Sequence, residues 1–362
     1  MAGSIPASAA EATAPLAVEG FSYPGAAQIL AEQHITLKSG DGNIQLADCT
    51  STENLLEVFS RTLNTGPAKV CFRVTGPVGY LALELPKVYS IKGDDHAVKA
   101  TLNTDGSVSS FDVRKNYYTP VGEGASAEGT TLLELSATDG PAAPAATSEY
   151  PAAGALNIGQ PGRTGARACT ATLVDRYWAL TSASCFTDNP ATLTAGAPAT
   201  KSTVTIGGKS ADIAELVPRT DRDLVMARLA APVDGITPAV FATTAPVTGE
   251  SLSVPGFGRT ATQWRPSASH TVTHTAGTVT ATGIDSTPAA GSSAICQGDT
   301  GAPLLRKSNG TVQVVGAASR SWQGGCFGTP ATETRTSATS TRTDDLGVWV
   351  KELRFRTADV QA

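Results

Sequence analysis

Cys169-Thr-Ala-Thr-Leu-Val-Asp-Arg-Tyr-Trp-Ala-Leu-Thr-Ser-Ala-Ser-Cys185 and Cys296-Gln-Gly-Asp-Thr-Gly-Ala-Pro-Leu304 decide how this chain is read. The first is a strand, a turn and a second strand that runs into a cysteine; the second is a glycine-rich loop between short strands. Two further segments belong with them. Arg222-Asp-Leu-Val-Met-Ala-Arg-Leu229 puts an acidic residue at the head of an apolar strand, and Ser321-Trp-Gln-Gly-Gly-Cys326 is a glycine loop ending in cysteine.

The rest of the composition agrees with strands and tight turns. Of 362 residues, 41% are hydrophobic and only 16% charged, while 36 glycines and 22 prolines interrupt the chain. The net charge of −5 argues against a nucleic-acid binder, which needs a basic face. No apolar run approaches the ~18 residues of a membrane-spanning helix. Charge is uneven: residues 1–149 hold 9 Lys/Arg against 17 Asp/Glu, which suits two separate domains.

Residues 1–19, rich in Ala, Ser and Pro, read as a disordered arm. A helix is expected only at 25–32. Eight short strands follow, at 34–38, 43–47, 69–75, 80–85, 88–92, 97–103, 107–113 and 131–136, and Asn103-Thr-Asp-Gly106 has the residues of a hairpin turn. Residues 20–137 are therefore expected to form a β-sandwich-like domain. An Ala/Pro linker spans 138–154. Residues 155–362 form a second β domain ending in an amphipathic helix near 344–355. Asn309-Gly310-Thr311 matches a glycosylation acceptor formally, but reads as a hairpin turn.

Six cysteines, at 49, 71, 169, 185, 296 and 326, form no CxxC or CxxH pattern, so no zinc or other cofactor is expected. Three disulfides and an oxidising compartment are the better reading, although counting leaves fifteen pairings open. No secretory leader is visible after Met1, so the chain reads as a mature secreted protein with an added start methionine.

In order, spacing and flanking residues, the four quoted segments resemble the trypsin-like (chymotrypsin-fold) serine proteases over roughly 155–355; residues 1–150 resemble no family we recognise. The resemblance implies two β-barrels. Its segments would carry, in turn, the catalytic His, the catalytic Asp, the nucleophilic Ser and the strand that binds substrate backbone. It further implies Cys169–Cys185 and Cys296–Cys326 bridges, which leaves Cys49–Cys71.

Carried over residue by residue, the site departs from the family. Ser184 stands where the general base belongs, Asp223 is kept, and Thr300 replaces the serine nucleophile. Threonine's extra methyl restricts its side chain, and without a base its hydroxyl stays protonated. The backbone N–H groups of Gly298 and Thr300 would still form an oxyanion hole. Ala294 would floor the specificity pocket and Ser321, Trp322 and Gln323 would wall the cleft. No amino terminus of the family's type precedes Cys169 to pair with Asp299, which must find another cation, such as Arg163 or Arg167, or stay in a zymogen-like pose. His270 and His274, four residues apart in an expected strand, read as surface or groove-lining residues.

These departures imply a secreted pseudoprotease with Asp223, Ser184 and Ser321 in a static hydrogen-bonded cluster. Its cleft would hold an extended peptide of a protein partner by strand addition. The Ala-, Thr- and Gly-rich style resembles a degenerate group of secreted actinobacterial trypsin-like proteins. Some of these serve as assembly or target-binding subunits of umbrella-shaped antibacterial toxin particles. Occupancy by the chain's own residues 150–155 is a further expectation. Two alternatives stand beside this reading. One is a weak serine-type endopeptidase or esterase using Thr300 with His270 or His274. The other is carbohydrate binding by the first domain through Tyr80, Tyr89, Tyr117 and Tyr118. Neither nucleic acid nor membrane is expected as a partner.

Overall fold

The computed structural model describes residues 13–63, 68–122, 129–140, 148–265, 268–308 and 310–358. After helix α1 (Ala26–Gln33), nine strands build the first domain: β1 (Thr36–Gly40), β2 (Ile44–Ala47), β3 (Leu56–Ser60), β4 (Lys69–Val74), β5 (Gly79–Lys92), β6 (Ala97–Thr104), β7 (Ser107–Val113), β8 (Tyr118–Pro120) and β9 (Thr130–Thr138). The expected strands at 80–85 and 88–92 are one element, β5, bent at Pro86-Lys87, where Lys87 has φ 54°. Its first half pairs with β1 and β9 and its second with β3 and β8. One strand thus serves two halves of an open, sandwich-like sheet whose side chains alternate between core and solvent. The expected turn at 103–106 joins β6 to β7, with Asp105 and Gly106 both at positive φ and Thr104 opposite Ser107.

The second domain holds two barrels. β10 (Ala153–Ile158), β11 (Arg167–Asp175), β12 (Trp178–Thr181), β13 (Ser202–Ile206), β14 (Lys209–Pro218) and β15 (Val225–Leu229) close on themselves. β16 (Val240–Phe241) then pairs in parallel with the second barrel. That barrel comprises β17 (Ser251–Gly256), β18 (His270–Val279), β19 (Gly283–Pro288), β20 (Pro303–Ser308), β21 (Thr311–Ser321) and β22 (Ala338–Arg342), closed by pairing of β21 with β22. Helix α2 (Gly347–Ala358) packs Val350 and Leu353 against the first barrel's Trp178 and Leu180. All three expected disulfides are present. Asn309 lies outside the described residues, between the paired Ser308 and Thr311.

Two sequence expectations fail here. Residues 150–155 do not fill the cleft: Tyr150 is buried beside Trp178, and β10 begins at Ala153 as a barrel strand. Residues 13–19 are not a free arm, because Leu16 pairs with Arg320 and Glu19 with Ala168. Residues 1–12, expected in the same arm, and 141–147 of the expected linker lie outside the described residues.

The two domains interlock. Trp264, from the loop between β17 and β18, is buried in the first domain's core and meets Tyr23 edge-on at 5.1 Å between ring centroids. Arg163 stacks 3.8 Å over Tyr80 and pairs with Glu134.

Candidate active site

β12 leads through Ser182 into a short 3-10 turn, Ala183–Cys185, which the Cys169–Cys185 bridge holds against β11. This turn presents Ser184 to Asp223, at the entry to β15. The Ser184 backbone N–H donates to Asp223 Oδ1 at 2.7 Å and its hydroxyl donates to Oδ2 at 2.8 Å. The Ser319 hydroxyl donates to the same Oδ2 at 2.5 Å. The carboxylate is thus satisfied by three donors, none of which takes up a proton at neutral pH.

The sequence placed Ser321 in that cluster, and the structure corrects it to Ser319. Residues two apart on a strand share a face, so Ser319 and Ser321 both fitted the pattern; the ladder of β21 shifts register between Ala318 and Arg320.

Thr300 is fully buried, and its hydroxyl donates to the Ser319 carbonyl at 3.2 Å. Each of the four histidines is engaged or placed elsewhere. His34 is exposed at the end of α1, and His96 contacts Asp94 in the first domain. His274 is buried, with Nδ1 on Ser286 and Nε2 on the Ser293 carbonyl; burial drives its pKa down to about 4. His270 Nε2 lies 3.5 Å from Asp299 Oδ2. The expectation that both are surface or groove-lining residues fails for His274, which is fully buried, whereas His270 stays partly exposed beside Asp299.

Asp299 also takes neither expected arginine: Arg163 pairs with Glu134 and Arg167 with Asp188. Backbone N–H groups of Gly258 and Cys296 donate to it at 2.8 and 2.9 Å. Burial disfavours the charged imidazolium of His270, but the negative charge of Asp299 and their hydrogen bond outweigh this and raise its pKa.

Above Asp299 the loop opens its N–H groups to the cleft. Gly298 has φ 94°, and a Cβ there would lie 2.7 Å from Gly258 Cα, so only glycine fits. These donors face the carbonyl of Ala17: Gly298 N–H donates at 2.7 Å and Thr300 N–H at 3.4 Å. Ala17 N–H donates to the Ser319 carbonyl, and the Ser321 N–H donates to Pro15. Beyond Ala17, Glu19 and Ala168 exchange backbone hydrogen bonds of 3.0 and 2.9 Å. Residues 14–19 thus lie extended across the cleft, with the Ala17 carbonyl on the N–H groups of Gly298 and Thr300, the donors expected to form an oxyanion hole.

Side chains hold the segment too. Glu19 receives Arg259 Nε at 2.5 Å and Nη2 at 2.8 Å, both side chains being buried. Arg320 Nη1 donates to the Ala14 carbonyl at 3.0 Å. Sequence reading missed Arg259, Ser319, Arg320 and the whole segment; the Ala/Pro-rich composition that suggested disorder carries no signal for a cleft ligand.

Ala294, the expected floor of the specificity pocket, is buried in a cluster with the Cys296–Cys326 bridge. Gln323 is buried in the left-handed region at φ 63°, its backbone N–H donating to Ser321 Oγ. The Arg335 guanidinium lies 3.2 Å over the Trp322 ring, and the neighbouring Arg320 supplies a side-chain hydrogen bond to the segment. Among the described residues, no group of three or more His, Cys, Asp or Glu is placed to hold a metal ion.

A family model described as Trypsin matches residues 141–341, more than half of the chain. The chain belongs to the trypsin family. No curated protein matches it significantly.

Proposed function

We propose that this protein is a catalytically inert trypsin-like pseudoprotease that works as a protein-binding or assembly module, its cleft holding an extended peptide without cutting it. The observation that carries this reading is the Ser184–Asp223 pair: a hydroxyl occupies the place of the base. Loss of the base in comparable triads costs about 10⁶ in kcat, and an oxyanion hole alone leaves ~10³–10⁴ over water. The direction of the Thr300 hydroxyl toward Ser319, and the engagement of His270 and His274 elsewhere, weigh against the residual peptidase or esterase. Three disulfides suit a secreted protein. Membership of a degenerate secreted actinobacterial branch, with a role in an antibacterial toxin particle, is the finer form of this proposal.

Carbohydrate binding by the first domain is a second reading, favoured by an aromatic row of Phe59, Tyr89, Tyr117 and Tyr118 on its surface. Tyr80 leaves that set, because Arg163 covers it at the domain junction. Glycan-array binding lost on Tyr118→Ala would establish it.

The main reading is tested with an active-site phosphonate probe and peptide ester substrates, on the wild type and on a Glu19→Lys variant that loosens the segment in the cleft. Neither is expected to be labelled or to turn over substrate. Labelling of Thr300 in the variant would restore the enzyme reading.

A further inference from the structure

Building on the reading that the cleft holds peptide without cutting it, we propose that residues 14–19 are a displaceable internal copy of the cleft's ligand. The cleft then accepts, from a partner protein, an extended segment of the pattern Ala-x-x-Ala-x-Glu.

The pattern follows from which side chains the cleft encloses. Ala14, Ala17 and Glu19 are buried, whereas Pro15 is exposed and Leu16 and Val18 are only half-buried. The backbone bonds to Ser319, Ser321, Gly298 and Ala168 accept any extended chain. Selection therefore rests on two small residues three apart and a carboxylate two beyond the second.

Arg259 makes the carboxylate a requirement. Its side chain is 6% exposed, with Nε and Nη2 on Glu19 and Nη1 on the Phe327 carbonyl. Arg265, nearby, adds positive charge toward Glu19 and Asp41. A chain that filled the cleft without an acid at this position would leave a buried guanidinium uncompensated.

The internal segment is held by short-range bonds at separate points, isolated bridges at Leu16 and Glu19 and the Glu19–Arg259 ion pair, and not by a continuous ladder. Gly20, exposed and with no atom within 4 Å of the Cβ position, separates it from Phe21 and Tyr23, which are buried at the domain junction. A tethered segment acts at an effective concentration of about millimolar. A partner segment must therefore outcompete it, and this sets a threshold for assembly.

The test uses full-length protein and a fluorescent peptide of residues 13–20 (TAPLAVEG), followed by anisotropy. Ala17→Pro removes the N–H that bonds Ser319, and Glu19→Lys reverses the charge at Arg259; either weakens the internal segment, and thermal melts check that each variant is folded. Such a variant is expected to bind the peptide at least roughly 10-fold more tightly than wild type. A peptide carrying Glu19→Gln is expected to lose roughly 30-fold or more. Equal binding of both peptides would overturn the Ala-x-x-Ala-x-Glu requirement while leaving the peptide-holding cleft intact. Absence of binding to both folded variants would overturn acceptance in trans. Cleavage of the peptide would overturn the inert reading on which the proposal rests.

Discussion

Ser184 gives Asp223 both its backbone N–H and its hydroxyl, at 2.7 and 2.8 Å. The carboxylate thereby anchors the Ala183–Cys185 turn. The Ser319 hydroxyl completes the set from the opposite barrel, so the Asp223 carboxylate joins the two barrels.

Restoring the chemistry gives a direct reading of the register in the cleft. The double substitution Ser184→His and Thr300→Ser supplies base and nucleophile beneath the Ala17 carbonyl. This variant is expected to nick its own chain after Ala17, and intact-mass spectrometry would show the fragment. The wild type is expected to stay whole, as the base alone is worth about 10⁶-fold. A nick at another bond would mean that the segment is registered differently.

Removing the Asp223 donors measures what the cluster contributes to the fold. Ser184→Ala and Ser319→Ala are each expected to destabilise by about 1.5–3 kcal/mol, the range for hydrogen bonds to a charged group. Because both hydroxyls reach the same oxygen, the double variant is expected to depart from additivity in urea titrations.

The two histidines of β18 give opposite pH slopes. His270 has a raised pKa in the fold, so its pairing with Asp299 contributes fully below the unfolded value and is lost as pH rises through the folded value. His274 is held neutral with a pKa of about 4, so stability is full above 6.5 and falls as pH drops from there toward 4. In the limit this second effect is worth about 3 kcal/mol. Stability measured against pH is expected to lose its alkaline fall in His270→Gln and its acid fall in His274→Gln.

Trp264 should govern the coupling of the domains. It is 3% exposed and lies within the first domain's core although it belongs to the second. Trp264→Ala is expected to cost about 3–5 kcal/mol. Calorimetry is expected to resolve one transition into two.

The chain announced its second domain clearly because glycine loops and cysteines sit where backbone geometry allows nothing else. Gly298 is the plainest case: its contact with Gly258 excludes every side chain. Ser184, Asp223 and Thr300 were legible for the same reason, since fixed loops carry them. Ser319 was missed because the reading followed the Ser321-Trp322 pair that resembles the family's groove wall, whereas the hydroxyl that reaches Asp223 lies two residues earlier. The first domain gave its hairpin at Asp105-Gly106 and most strands, but not β3 or the three-residue β8, whose pairing depends on distant β5. Residues 14–19 were illegible because their conformation comes wholly from the surface that receives them.

Ala14 and Arg320, joined by a hydrogen bond, stand 306 positions apart. On the ribosome the segment emerges before either domain, and its receiving groove is complete only when β21 has been made. Contacts of such span form last and slowly. A molecule in which the groove forms before the segment seats offers that groove unoccupied. Partner capture during biogenesis would need no displacement at all.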